Sequence, residues 1–282
     1  MTASRDAAAL IGHAIAERLA VRRQDRPVVV GICGAQGSGK STVTRTLADG
    51  LEAAGRRTAV LSLDDLYLSR AAREQMARTV HPLFRTRGVP GTHDVPLGLA
   101  VFASLLGGKQ VALPRFDKAA DTVMDRRRWQ PVDGSVEVVL FEGWCVGAVP
   151  EPAAALDEPV NALERDDDAD MLWRRTANDR LAGDYQELFD CLDLLVLLAA
   201  PGFHVVADWR RQQERELCAR TGRRGMTDRD IDRFILFYER ISRHILRTMP
   251  DYADLTLYLD ERRAVTDVAV AGATFAGASH AG

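Results

Sequence analysis

The sequence predicts an α/β protein with a mainly parallel central sheet, helices on both faces and a mobile lid. Three observations lead there. Short apolar, β-branched runs recur at Val28–Cys33, Thr58–Leu63, Val136–Phe141, Leu192–Leu198 and Leu255–Leu259. Longer stretches with helical spacing separate them, and a glycine-rich turn closes the first run. Strands with almost no polar alternation are those buried on both faces, and strands alternating with helices pair in parallel.

The chain has 282 residues, 46% hydrophobic and 27% charged, the proportions of a soluble globular protein. That length suits one large domain over 1–265, with residues 1–26 as an N-terminal helix, 69–96 and 150–190 as peripheral insertions, and 266–282 as a flexible tail. A net charge of −3 argues against a general nucleic-acid binder, which is usually basic. Arg5, Glu17 and Arg18 interrupt any signal-peptide layout. No run approaches the ~18 apolar residues of a membrane helix. Cys33, Cys145, Cys191 and Cys218 are scattered without a C-x-x-C pair, as expected of reduced thiols in a cytoplasmic protein.

Each element has its own signal. Ile11, Ile15 and Leu19 put an amphipathic helix ahead of the first strand. Val43, Leu47 and Leu51 form the apolar stripe of a second helix, and Gly55 suits its C-terminal cap. The second strand ends directly in Asp64-Asp65. Residues 69–96, rich in Arg, Pro and Gly, read as a long irregular excursion. Leu97–Leu106 reads as a short helix stopped by Gly107-Gly108. The strand 136–141 ends in Glu142-Gly143. Pro150, Pro152, Pro159 and the acids at 166–168 suggest a loop, and Tyr185–Phe189 the end of a helix. Residues 203–219 and 229–249 have helical periodicity, and a polar segment with Arg223 and Arg224 between Gly222 and Gly225 separates them.

The turn after the first strand carries G-x-x-x-x-G-K-S from Gly34 to Ser41. Strand, glycine loop and helix arrive in the order a phosphate-binding loop requires, which makes this a P-loop NTPase fold that binds a nucleoside triphosphate. Backbone N–H groups of Gly34, Ala35, Gln36, Gly37, Ser38 and Gly39 can converge on phosphate oxygens at the helix N-terminus, with Lys40 on the β/γ-phosphates. Ser41, followed by Thr42, would offer its hydroxyl to Mg²⁺. No G-x-G-x-x-G of the dinucleotide type can be written across this loop.

In such sheets ligands bind beyond the carboxyl ends of the strands. The phosphate loop, Asp64-Asp65 and Glu142 therefore share one rim, where a carboxylate can hold Mg²⁺ or accept a proton from an attacking hydroxyl. A solvated turn, a helix cap or a surface acid would be the bland alternative. Arg115 and Lys118, beside Asp117, read on composition alone as a mixed-charge surface turn. Arg223 and Arg224 can serve as a hinged lid or as a solvated basic loop.

Four segments together resemble the D-glycerate 3-kinase family, within the kinase superfamily that includes uridine kinase, pantothenate kinase and phosphoribulokinase. They are Ser62-Leu63-Asp64-Asp65-Leu66-Tyr67-Leu68, Arg87-Gly88-Val89-Pro90-Gly91-Thr92-His93-Asp94, Leu113-Pro114-Arg115-Phe116-Asp117-Lys118 and Phe141-Glu142-Gly143-Trp144-Cys145-Val146-Gly147. The resemblance spans residues 27 to 262 in order, with Leu66 where relatives often have Phe. It implies an ATP- and Mg²⁺-dependent kinase acting on a small hydroxy acid, D-glycerate, at its 3-hydroxyl. Asp64 becomes the base on the acceptor side, and Glu142 joins Ser41 at the metal. Beside the resemblance, on the residues alone, Lys40 of the phosphate loop and a lid carrying Arg223 and Arg224 would bring positive charge onto the transferring group. Asp65, Tyr67, Arg87, His93, Asp94, Arg115 and Lys118 become the acceptor site.

Other acceptors, of the pantothenate or uridine type, and a nucleotide switch are the rivals. The absence of an N-K-x-D segment counts against a GTPase of the common type.

Overall fold

The computed structural model describes residues 6–21, 26–222 and 225–271. Arg223 and Arg224 lie outside the described residues.

In chain order the first half contains α1 (Ala7–Val21), β1 (Val28–Gly34), α2 (Lys40–Ala53), β2 (Thr58–Ser62), α3 (Arg70–Thr79) and α4 (Val95–Leu106). Four short strands follow: β3 (Val111–Leu113), β4 (Phe116–Asp117), β5 (Thr122–Val123) and β6 (Gln130–Val132). The second half contains β7 (Val138–Gly143), α5 (Ala162–Asp167), α6 (Leu172–Ala182), α7 (Asp184–Phe189), β8 (Leu194–Ala199), α8 (Val206–Thr221), α9 (Asp228–Thr248), β9 (Leu255–Leu259) and β10 (Val265–Val270).

The main sheet has the order β10-β9-β8-β1-β7-β2, parallel except for β10. β1, β7 and β8 are buried along their whole length. Their side chains alternate between two cores, as the period of a strand requires. Val28, Val30 and Ile32 face Ile11, Ile15 and Leu47 of α1 and α2, together with Trp209. Val29 and Cys33 face α4, α7 and α9 through Phe102, Tyr185, Phe237 and Ile241. β1 is flanked by β7 and β8, and Glu142 of β7 lies level with Ile32 on one side and Ser62 of β2 on the other. This register puts the phosphate loop, Glu142 and the start of the Asp64 segment on one rim.

The fold class matches the expectation, but three segments differ. The 69–96 stretch is not irregular. It holds α3, a short 3₁₀ turn at Pro82–Arg85 and the head of α4, and Phe84, Val89 and Val95 enter the core. The tail expected from 266 begins instead as β10, an antiparallel edge strand along β9. Residues 150–190, expected as a peripheral insertion, contain α5, α6 and α7 and are anchored deeply. The Arg240 guanidinium of α9 donates to Glu164 at 2.8 and 2.7 Å and to Glu151 at 3.2 Å, all three residues being buried or nearly so. Asp168, fully buried, accepts from the backbone N–H groups of Trp173 and Arg174 and pairs with the Arg174 side chain. The acidic cluster at 166–168, for which the sequence offers no role, thus contributes a structural carboxylate.

Among the described residues no helix is long and apolar enough to cross a membrane.

Candidate active site

The phosphate loop starts where β1 ends and α2 begins. Gly37 has φ +78°, and a Cβ there would lie 2.7 Å from Trp209 Cβ and 2.9 Å from its carbonyl carbon. Conformation and packing both exclude a side chain. The Arg263 guanidinium, from the β9–β10 turn, donates to the Gly37 carbonyl and lies 5.1 Å from the centre of the Trp209 ring. The loop is therefore braced from outside, its carbonyl tied back. Ala35 is packed against Phe203, Val206 and Ile231. Gly34 and Ser38 are buried, Gln36 and Gly39 half-buried. Gln36 Oε1 and Ser38 Oγ are buried with no hydrogen-bond partner among the described residues. Gly39 caps α2, Lys40 is its first residue, and the exposed Thr42 donates its backbone N–H to the Gly39 carbonyl.

The Ser41 hydroxyl donates to Glu142 Oε1 at 2.9 Å, and the Ser62 hydroxyl donates to the same oxygen at 3.0 Å. Glu142 is 7% exposed. A hydroxyl and a carboxylate held together beside a phosphate loop form the hard oxygen donor set that suits Mg²⁺. The residues present fit that ion.

Asp64 and Asp65 point to different partners, as neighbours at a strand end should. Asp64 Oδ1 accepts from the Tyr67 hydroxyl at 2.7 Å, and Oδ2 from the Lys118 ammonium at 2.5 Å. Burial works to raise the Asp64 pKa, but the Lys118 charge and hydrogen bond, the Tyr67 hydroxyl and Lys40 outweigh it and hold the carboxyl well below its ordinary range. Lys118 is in turn raised by the Asp64 charge. Asp65 binds the 113–117 segment instead. Its carboxylate accepts from Arg115 Nη1 and from the Phe116 backbone N–H, each at 3.1 Å. Burial pushes the Asp65 pKa up despite Arg115.

The remaining expected acceptor residues surround Tyr67. The Arg87 guanidinium lies 5.9 Å from the Tyr67 ring centre and 5.6 Å from that of Phe116, and it pairs with Asp121. The His93 ring stacks on Tyr67 at 4.7 Å and 21°. Burial lowers the His93 pKa to about 4 against a smaller opposing effect of Asp64, so the ring is neutral at pH 7. Two residues sit otherwise than expected of substrate ligands. Arg115 spends its guanidinium on Asp65, the Pro114 carbonyl and Gln130. Asp94 caps α4, accepting from the Leu97 N–H at 3.0 Å.

Sequence reasoning missed Tyr238 and Tyr185. Tyr238, on α9, donates to the Arg87 carbonyl at 3.3 Å and packs on Trp144, whose indole N–H reaches the Gly88 carbonyl at 2.9 Å. Burial, then the Asp64 charge, pushes the Tyr238 hydroxyl pKa up. A Cβ on Gly88, at φ +136°, would collide with the Tyr238 hydroxyl. That is why glycine stands there. In the sequence both tyrosines read as ordinary members of helical apolar stripes; only the glycine beside Arg87 hinted at a close approach.

The chain is similar to several known proteins. A family model described as methylmalonyl Co-A mutase-associated GTPase MeaB matches residues 6–67, from α1 through the phosphate loop to Tyr67. The uncharacterized kinase mug58 of Schizosaccharomyces pombe is 34% identical over 225 residues, 76% of this chain and 79% of its own length. The chloroplastic D-glycerate 3-kinase of Arabidopsis thaliana is 27% identical over 256 residues, 84% of this chain; the match spans 53% of that longer protein. Among solved structures, D-glycerate 3-kinase from Cryptococcus neoformans superposes with a TM-score of 0.80 at 27% identity, covering 93% of this chain and 98% of that one. With the phosphate loop, the Ser41–Glu142 pair and the Asp64 segment on one rim of a shared sheet, the chain belongs to the D-glycerate 3-kinase family of P-loop kinases and is an ATP-dependent phosphotransferase.

Proposed function

We propose that the protein transfers the γ-phosphoryl group of ATP to the 3-hydroxyl of D-glycerate, giving 3-phosphoglycerate. One observation carries the reading: Asp64 stands one strand away from Glu142, held by an ammonium and by the phenol of Tyr67, over whose ring Arg87 lies. A carboxylate to receive the hydroxyl and a movable ammonium to receive an acid lie within one small cluster. The names of the Arabidopsis and Cryptococcus relatives support the same acceptor. A nucleoside would call for aromatic stacking and amides at the base edge. Here the Tyr67 face is already covered by His93.

In this reading the loop N–H groups and Lys40 hold the β/γ-phosphates, and Ser41 and Glu142 hold Mg²⁺, which supplies positive charge to the phosphate oxygens. Lys118 is 59% exposed on a flexible stem and can turn from Asp64 to the acceptor carboxylate, with Arg87 beside it. Asp64 then accepts the hydrogen bond of the attacking hydroxyl and aims it. A carboxylate held below its ordinary range is a weak base. A loose phosphoryl transition state asks little of one, so alignment and charge neutralisation dominate. Asp65 and Arg115 hold the Lys118 segment in place, and Asp94 fixes the start of α4 beneath His93.

The test is product identity. NMR of the D-glycerate reaction should show phosphate on the 3-oxygen; 2-phosphoglycerate would overturn the orientation of the acceptor. Faster turnover of pantothenate or uridine would overturn the acceptor itself.

A further inference from the structure

His93 and Tyr185 form a hydrogen-bonded pair whose proton arrangement can be deduced. Tyr185, on α7, is 1% exposed, and its oxygen accepts the Gly91 N–H at 3.0 Å. Its other hydrogen-bond partner among the described residues is His93 Nδ1, at 2.6 Å. A phenol has one proton to place. Burial pushes the Tyr185 pKa far up, so that proton is retained. If Nδ1 were protonated and donated to the phenol, the Tyr185 hydroxyl proton would be left buried without an acceptor, an arrangement proteins avoid. The phenol therefore donates and Nδ1 accepts. A neutral imidazole with Nδ1 as acceptor carries its hydrogen on Nε2.

His93 Nε2 is buried and has no hydrogen-bond partner among the described residues. The ring is stacked on Tyr67, whose hydroxyl holds Asp64, and it lies close enough to Asp64 for that charge to act on it. An unpaired N–H at this place calls for an oxygen.

We propose that Tyr185 locks His93 as an Nε2–H donor, and that this donor binds a hydroxyl or carboxylate oxygen of the acceptor beside Asp64. Tyr185 is a positioning residue and touches no substrate. The inference rests on the acceptor site described above, and it extends that reading to selectivity. A neutral donor favours an oxygen acceptor and opposes an ammonium, so an amino acid in which an amine replaces the corresponding hydroxyl is rejected.

The experiment uses the full chain labelled with ¹⁵N-histidine. Long-range ¹H–¹⁵N spectra distinguish the two neutral tautomers, and the signal lost in His93→Gln identifies His93. The expected result, recorded without any acceptor, is an Nε2-protonated neutral ring across pH 5.5–8, and a mixture of tautomers in Tyr185→Phe. An Nδ1-protonated or cationic ring in the wild type would overturn the lock. In kinetics, Tyr185→Phe and His93→Leu should raise KM for the acceptor about tenfold, the loss of one buried hydrogen bond. KM for ATP should not change, and His93→Gln, which keeps an N–H donor, should recover part of the loss. An unchanged acceptor KM in Tyr185→Phe would overturn the proposal. The kinetic arm uses whichever hydroxy acid the protein turns over best. Failure with D-glycerate alone then counts against that acceptor, and not against the donor.

Discussion

Lys118→Met is the sharpest probe of the charge balance at Asp64. The variant removes an ammonium 2.5 Å from Asp64 Oδ2 and keeps an unbranched stem. Burial is the largest influence on Asp64 and favours the protonated form. The wild-type carboxylate stays ionised because the charge and hydrogen bond of Lys118, with Tyr67 and Lys40, outweigh it. One opposite charge in contact is worth about 1–3 pKa units to a carboxyl, or about 1.4–4 kcal/mol. The Asp64 side chain is 28% exposed and that of Lys118 59%, so solvent screening places the effect at the lower end. The sign follows directly. Without Lys118 the Asp64 pKa rises, and falling pH protonates the carboxylate sooner. The Asp64 carboxyl of Lys118→Met should therefore titrate at higher pH than that of the wild type, and Lys118→Arg should restore the low value. The assay is the side-chain carboxyl ¹³C shift of Asp64 against pH without acceptor, the signal being assigned by its loss in Asp64→Asn. An Asp64 titration unchanged in Lys118→Met would refute the electrostatic reasoning.

Asp64→Asn should lower kcat by about 10²–10⁴, with KM for ATP little changed. Asp65→Asn, which loosens only the anchor of Arg115 and Phe116, should be milder, and steady-state kinetics showing the reverse ranking would contradict the assignment. Arg263→Ala should raise KM for ATP about tenfold by releasing the Gly37 carbonyl, while acceptor KM stays constant. Equal effects on both substrates would argue against a role confined to the loop. Arg240→Met should cost about 3–5 kcal/mol in urea unfolding, because Glu164 remains buried without its charged partner, while Glu151 keeps Arg247. Glu164→Gln in the same chain should recover part of it, and a loss under 1 kcal/mol would mean the network is dispensable.

The sheet and the phosphate loop were legible because their signals are local: apolar β-branched runs, and glycines followed by Lys40 and Ser41. Glu142 was legible from its place at a strand end. α3 was not, because its buried residues are Arg73 and Ala77. Arg73 is an anchor that bonds the Leu68 and Arg85 carbonyls and pairs with Asp121, and apolar periodicity cannot register a buried guanidinium. β10 was hidden by its place at the head of an Ala- and Gly-rich tail, and its pairing comes from β9 rather than from its own pattern. β3 to β6 are two or three residues long, too short for any period to show. In the site, the resemblance places Arg115 and Asp94 with the acceptor. The partners of Arg115, Asp65 and Gln130, are distant in the chain and meet it only in the folded protein, whereas Asp94 caps α4 locally, ahead of the helix start expected at Leu97. Tyr185 and Tyr238 gave no signal, since a buried hydroxyl and a buried ring read alike in a helical stripe.

The most direct test of the central claim is ADP release by the purified protein with ATP and Mg²⁺, with and without D-glycerate, alongside Lys40→Ala. The account predicts slow release with ATP alone, strong stimulation by D-glycerate, and no turnover in a Lys40→Ala variant that remains folded by circular dichroism. ATP consumption independent of any small hydroxy acid, or near-normal turnover in folded Lys40→Ala, would contradict it.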